Sequence, residues 1–359
     1  MQMKILALDI GTGTEDILLY DSGKNVENCI KMVLPSPSQV YAAKVKEATL
    51  LCQDLFVRGD TIGGGAFVSA LRNHIKEGLR VVMTEKAAYS VRNNLDEVME
   101  LGIEITRGSM PINLDGKRLT IEEVNLTTLK EFLKVFNEDL SEIDVVAVAV
   151  QDHGVSPKGI SNRIFRIHKM RELLEIDPHP ESLAFKKDEV PSCFLRMKSA
   201  VQASERQLPN ANVLVMDTAP AAILGCLNDP AVEDADPILA VNVGNGHTMA
   251  AVISQRRILG LMEHHTGLLN PEKMKRLLIN FADGRLSEEE VFKDGGHGSF
   301  FLEKLFGFSG IEKIVATGPN RNILARTDLS VYFANPAGDV MMTGPVGLVD
   351  AAKRKFKLE

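Results

Sequence analysis

Apolar positions along this chain fall into short runs separated by polar turns, and the runs alternate between two periods. Residues 5–10 predict a short, mostly apolar strand. Residues 16–20 form a second one, with a Gly/Thr turn between them, and a third lies at 29–34 before Pro35-Ser36-Pro37. Strand and helix patterns then interleave. Strands are expected at 54–58 and 79–83, and helices at 66–76 and 89–101. Leu126, Leu129, Phe132, Leu133 and Phe136 recur at helical spacing and lead into the unbroken apolar run 145–150, the kind of strand found in a sheet covered on both faces. Helical patterns fill 160–207, interrupted near Asp177-Pro178-His179-Pro180. A strand at 213–216 precedes a helix at 220–227 with Pro in its first turn. The second half repeats the logic, with strands across 238–262, helices at 271–281 and 287–292, a strand at 313–317 and a last helix at 346–356.

The arrangement predicts an α/β fold of two related domains with a cleft between them. The expected boundaries are 1–228 for a first domain carrying a large insertion and 236–340 for a second. Residues 341–359 are expected to form a helix packing back on the first domain. The acidic, Pro-bounded stretch Asn228 to Pro237 marks the junction.

An internal duplication carries the functional reading. ILALDIGTGTEDILLY at 5–20 aligns with ILAVNVGNGHTMAAVI at 238–253, an offset of 233 residues. Gly11 and Gly13 meet Gly244 and Gly246, Thr12 and Thr14 meet Asn245 and His247, and Asp9 meets Asn242. A single Gly-x-Gly is an ordinary hairpin turn. Two copies after the same apolar strand predict twin strand–turn–strand hairpins whose backbone N–H groups form anion-binding concavities. Facing each other across a cleft, they would clamp a chain of phosphates, with Asp9 placed to hold Mg²⁺. The loop is neither a Walker A motif nor a Rossmann fingerprint, because GxxxxGK[ST] is absent and the turn leads into a strand instead of a helix.

These segments resemble the actin, heat-shock chaperone and sugar-kinase (ASKHA) ATPase superfamily. Residues 5–14 look like its first phosphate motif and Asp217-Thr218-Ala219-Pro220-Ala221-Ala222 like its first connecting helix. Residues 241–248 look like the second phosphate motif. Ile314-Val315-Ala316-Thr317-Gly318-Pro319-Asn320 looks like the adenosine motif and 344–352 like the second connecting helix. The resemblance implies two actin-like (ribonuclease-H-like) domains, ATP and Mg²⁺ as cofactors, and a phosphotransferase or ATPase acting on a small metabolite. It places the nucleotide on Gly11, Thr12, Gly13, Thr14, Gly244, Asn245, Gly246, His247 and Gly318, and the metal on Asp9 and Asn242. Asn242 stands where the superfamily has Asp, Ala219 where it has an acid, and Pro319 where it has Gly. A nucleotide-binding protein without turnover is therefore the alternative.

Two narrower likenesses exist. Asp9 through Asp16 and Asp21 are similar to the hydantoinase and oxoprolinase branch, which implies a metal-dependent amide hydrolase as a further alternative. Val150-Gln151-Asp152-His153-Gly154 is similar to a carbohydrate-kinase segment. The whole chain also resembles a prokaryotic family labelled pyruvate formate-lyase activating enzyme. A radical-SAM activase requires CxxxCxxC, and Cys29, Cys52, Cys193 and Cys226 do not supply it.

Asp152, ending a buried strand, is a candidate general base, with an Asx turn to Gly154 as the competing role. Asp217 is the second candidate base. His153, His247, His264, His265 and His297 all neighbour Gly residues or a strand end. The sequence offers a metal or acid–base role for them beside plain hydrogen bonding, without showing that they converge.

Composition narrows the partners. With 41 Lys+Arg against 48 Asp+Glu, the net charge is −7, and Trp is absent. No basic block or aromatic platform serves nucleic acid. No apolar run reaches membrane-spanning length, and the N-terminus lacks signal-peptide features, so a cytoplasmic location is expected. The expected partner is a small-molecule substrate, without nucleic acid or membrane, and a homo-oligomer stays open.

Overall fold

The computed structural model describes residues 3–108, 114 and 116–358. Among them are three sheets, and two have the same plan. The first contains β1 (Lys4–Ile10), β2 (Thr14–Asp21), β3 (Ile30–Pro35), β8 (Val145–Val150), β9 (Ala184–Lys186) and β10 (Asn212–Met216) in the order β3-β2-β1-β8-β10-β9. The second contains β11 (Ile238–Val243), β12 (His247–Ser254), β13 (Arg257–His265), β14 (Gly298–Phe301), β15 (Lys313–Thr317) and β16 (Val331–Phe333) in the order β14-β13-β12-β11-β15-β16. In both, antiparallel strands meander out from a central strand, β2 and β3 from β1 and β12, β13 and β14 from β11. Two parallel strands, β8 and β10 or β15 and β16, then continue the sheet on its other side. The duplication seen at 5–20 and 238–253 therefore extends to whole sheets. This is the α/β, actin-like (ribonuclease-H-like) architecture, built twice.

The third sheet, β6-β5-β4-β7, is all parallel: β4 (Asp54–Gly59), β5 (Val81–Thr84), β6 (Ile103–Thr106) and β7 (Gly116–Ile121). It lies in sequence between β3 and β8 and has its own core of Leu55, Val57, Phe67, Leu71, Val81 and Met83.

Burial explains the strands. Every residue of β8 and of β11 is buried, because helices cover both faces of each sheet and no polar face is needed. The helices Thr218–Cys226 and Thr343–Phe356 are packed against each other, the first also on β11 and the second on β1. Their contact depends on missing side chains. A Cβ on Gly225 would stand 1.8 Å from the Thr343 carbonyl oxygen, and one on Gly347 would stand 1.9 Å from that of Ala221. Backbone meets backbone there, so only glycine fits.

Some local expectations shift. The helix expected over 89–101 is only the short helix Leu95–Glu100, with a separate turn of helix, Glu85–Ala88, before the expected range. Asn94 starts Leu95–Glu100 by accepting a hydrogen bond from the Asp96 N–H, which interrupts any longer helix. The 160–207 stretch yields Asn162–Ile176 and Leu195–Gln207, with the short strand β9 between them. Residues 298–301 pair with β13 as an edge strand.

Candidate phosphate cleft and its polar surroundings

The two glycine turns are built alike. Gly11 N–H donates to the Thr14 carbonyl at 2.9 Å, and Gly244 N–H donates to the His247 carbonyl at 2.9 Å. They also face each other. A Cβ on Gly13 would sit 2.8 Å from Asn245 Nδ2, and one on Gly246 would sit 3.4 Å from Thr12 Oγ1. An open cleft of about 750 Å³, its mouth included, lies beside this seam. Asp9, Gly11, Thr12, Thr14, Asn242, Gly244, Asn245, Gly246, His247 and Gly318 all line it, so the structure gathers these sequence-predicted residues in one place. The 317–320 segment closes it: Gly318 takes a φ of +93°, and the Asn320 side-chain amide donates to the Gly244 carbonyl at 3.1 Å.

Asp9 and Asp16 are directly opposed across the β1–β2 ladder, so their side chains emerge on the same face. Asp9 Oδ1 and Asp16 Oδ1 are both cut off from water without a hydrogen-bond partner. Burial, then the neighbouring Asp16 and Asp217 charges, pushes the Asp9 carboxyl well above the usual range, and burial moves that of Asp16 to about 7. Two neighbouring carboxylates, each with one buried oxygen left without a partner, fit a hard divalent cation with oxygen ligands. Asn242, in the same cavity, adds an uncharged oxygen. Gly344, from the last helix, is pressed so closely on Asp9 that a Cβ would lie 1.9 Å from Oδ2.

Asp152 and Asp217 have other duties. Asp152 Oδ1 accepts from Gly154 N–H at 2.9 Å, the Asx turn, and Oδ2 accepts from the N–H groups of Arg196 and Met197 at 2.8 and 3.1 Å, holding the first turn of a helix. Asp152 lines a second cavity with these oxygens already engaged. Asp217 lines neither of the two cavities. It caps the helix Thr218–Cys226 and receives a bidentate pair of hydrogen bonds from Arg166 at 2.6 and 2.9 Å. Neither is a free general base in this geometry, because backbone amides and a guanidinium occupy the lone pairs a substrate proton would need.

Arg166 was not apparent as a site residue in the sequence. It is 2% exposed, and all five of its N–H donors are used: two on Asp217, two on Glu263 and one on the Asp152 carbonyl. Burial alone would lower its pKa, but the two carboxylates outweigh that and hold it above the ordinary value. Burial would raise Glu263, and the Arg166 guanidinium overrides it, holding that carboxyl below the usual range. This ion triad pins β13 of the second sheet to the helix that follows β10 of the first. Arg196 is the other residue missed. It donates to Glu123 at 2.6 Å and to the Gln151 carbonyl at 3.0 Å, and it lines both cavities. An arginine among many in a helical pattern gives no local signal of either role.

The second cavity, about 1160 Å³ including its open mouth, adjoins the first through Gly11, Thr12, Gln151, Arg196, Gly246 and His247. Its other walls come from 61–65, 89–93 and 151–155, together with His265. The Gly63-Gly64-Gly65 turn thus lies on its border. His153, His247, His265 and His297 converge where this cavity meets the hairpin, although four separate segments supply them. Burial keeps these imidazoles neutral: His247 falls to about 4 and His297 to about 3. His264 points the other way along β13 and lies 3.2 Å from Asp294.

Duplicated sheets, twin glycine turns facing across a cleft and paired connecting helices together define a protein of the actin-like ATPase fold. More narrowly, the chain belongs to the family described as "Putative pyruvate format-lyase activating enzyme (DUF1786)", whose model matches residues 62–323. No curated protein matches it. Among solved structures, it is similar to a PilM-PilN type IV pilus biogenesis complex, with 11% identity over 99% of this chain and 98% of that one and a TM-score of 0.40. It is similar to "Lmo2764 protein, a putative N-acetylmannosamine kinase" from Listeria monocytogenes, with 10% identity over 99% and 100% of the chains and a TM-score of 0.37. It is also similar to a Bacteroides thetaiotaomicron protein described as having an actin-like ATPase fold and unknown function, with 9% identity over 96% and 95% and a TM-score of 0.35. Among the described residues, no helix is long and apolar enough to cross a membrane.

Proposed function

We propose that the cleft between the two glycine turns binds Mg²⁺ with a nucleoside triphosphate, and that the protein is a phosphotransferase or ATPase acting on a small metabolite. One observation carries the reading: the turns face each other at Gly13–Asn245 and Gly246–Thr12, beside two carboxylates, Asp9 and Asp16, that each keep one buried oxygen without a partner. Backbone N–H groups and the Thr12, Thr14 and Asn245 side chains would hold phosphate oxygens from both sides. Asp9 and Asp16 would hold the cation, which supplies charge neutralisation at the phosphates when bound. Gly318 and its neighbours close the nucleoside end. The acceptor would occupy the adjoining cavity, with Arg196 at the junction of the two. Phosphoryl transfer draws most of its acceleration from positioning and electrostatics, so a free general base is not essential.

A second reading follows from Asp152 and Asp217. With both carboxylates engaged, and with Asn242 and Ala219 in place of acids, binding without turnover is the alternative. The family's descriptive name is not matched by cysteine chemistry here, since the four cysteines lie on separate segments without CxxxCxxC spacing. Isothermal titration with ATP and Mg²⁺ tests the reading. Binding that disappears in Asp9→Ala is expected, and steady-state phosphate release separates turnover from sensing. No heat of binding at millimolar nucleotide would overturn both readings.

A further inference from the structure

The histidine cluster is larger than the phosphate reading needs. His153 follows β8, His247 begins β12, His265 ends β13 and His297 precedes β14. His247 and His265 are directly opposed in the β12–β13 ladder, which brings their ring centroids to 4.6 Å. His297 stands 4.9 Å from each of them, and His153 is 5.3 Å from His297 and 5.5 Å from His247. The two closest nitrogens, Nε2 of His153 and Nε2 of His297, are 3.1 Å apart.

Hydrogen bonding does not account for this packing. Each neutral imidazole carries one N–H and one bare nitrogen. Both nitrogens of His247, and Nδ1 of His297, are buried without any partner, and the partner of His297 Nε2 is only another imidazole. The nearest carboxylate beneath the cluster, Glu263, is committed to Arg166. Leaving several buried polar atoms unpaired destabilises a fold, so one that assembles them from four segments needs something to satisfy them.

We propose that His153, His247 and His297 bind a divalent transition-metal ion of the zinc class at the edge of the second cavity. One ligand nitrogen from each can be chosen so that all three lie within 4.8 Å of one another. Nitrogens on one tetrahedral zinc stand about 3.3 Å apart, given bonds of roughly 2.0–2.1 Å, so only a small inward turn of the rings is required. An all-imidazole donor set selects zinc, copper, nickel or iron over magnesium or calcium, and therefore sets this site apart from the oxygen-lined Asp9–Asp16 pair. Three nitrogens leave one tetrahedral position open, as in catalytic zinc sites. His153 and His247 line the second cavity, so the open position is available to a ligand there. The proposal does not depend on nucleotide binding.

The test is titration of the full chain, tag-free and stripped by chelator, with zinc chloride, followed calorimetrically and by elemental analysis after dialysis. One equivalent bound with a dissociation constant on the order of 1 μM or tighter is expected. His153→Gln and His297→Gln should each weaken binding at least about 100-fold, beyond the usual cost of an outer-sphere change. Cys52→Ser, at the exposed thiol, should leave it unaltered. Circular dichroism of the metal-free variants checks the fold. Should His297→Gln fail to fold, His153→Gln decides. No stoichiometric zinc in folded wild-type protein, or equal affinity in a folded histidine variant, would overturn the proposal.

Discussion

Gly344→Ala separates packing from ligand binding at a single atom. The residue opens the last helix, Thr343–Phe356, where alanine is worth up to about 1 kcal/mol over glycine by helix propensity alone. Its backbone is not in the left-handed region. Sequence reasoning therefore predicts a neutral or stabilising change. The structure predicts a functional loss instead. The new methyl would stand 1.9 Å from Asp9 Oδ2 and 2.8 Å from Cγ, well inside contact distance. The carboxylate is the movable partner, so it must rotate out of the cleft by more than 1 Å to reach ordinary contact near 3.4 Å. Losing one charge-assisted contact to the bound cation costs about 1.5–3 kcal/mol, or roughly 10- to 150-fold in affinity. The assay pairs a thermal melt without ligand against calorimetric titration with Mg²⁺ and a non-hydrolysable nucleotide. The expected result is a melt within a few degrees of wild type and affinity reduced toward that of Asp9→Ala. Unchanged affinity would refute the assignment of Asp9 to the cation.

Further predictions follow from the same packing and charges. In Gly347→Ala the methyl meets backbone, 1.9 Å from the Ala221 oxygen, so the two connecting helices must separate; stability should fall by about 1–3 kcal/mol, read as a lower denaturant midpoint. Arg166→Met leaves Asp217 and Glu263 buried without their counter-charge and should cost about 3–5 kcal/mol, while the triple change that also makes Asp217→Asn and Glu263→Gln should recover part of it. For Asp16, burial raises the folded carboxyl from 3.8 to about 7, so the folded state favours the proton. Its contribution is fully present below pH 4 and is lost as the pH rises through about 7. Asp16→Asn should therefore be more stable than wild type by up to about 4 kcal/mol above pH 7, with the gain vanishing near pH 4 in melts over that range and without added cation.

What the sequence disclosed depended on how local the cause was. The hairpins at Gly11–Thr14 and Gly244–His247 were legible because an apolar run, two glycines and a short polar residue specify a turn without outside help. The strand Val145–Val150 was legible because burial on both faces removes every polar position from it. The roles of Asp152 and Asp217 were not. An acid ending a buried strand reads the same whether it faces a substrate or caps a helix. Arg166 and the amides of residues 196 and 197 decide it, and they arrive from other elements. The histidines were visible singly. Their convergence required β12 and β13 to pair in one register, β8 to end beside them and β14 to begin there, which one-dimensional spacing does not encode. The helix expected over 89–101 failed for a smaller reason: apolar spacing continued across Asn93-Asn94, but the Asn94 cap restarted the chain.

A crystal structure of the full chain with Mg²⁺ and a non-hydrolysable triphosphate tests the account most directly. The account predicts phosphate oxygens within hydrogen-bond distance of amides from both residues 11–14 and residues 244–247, and a cation coordinated through Asp9. A triphosphate bound elsewhere, or held by one turn alone with no cation near Asp9, would contradict it.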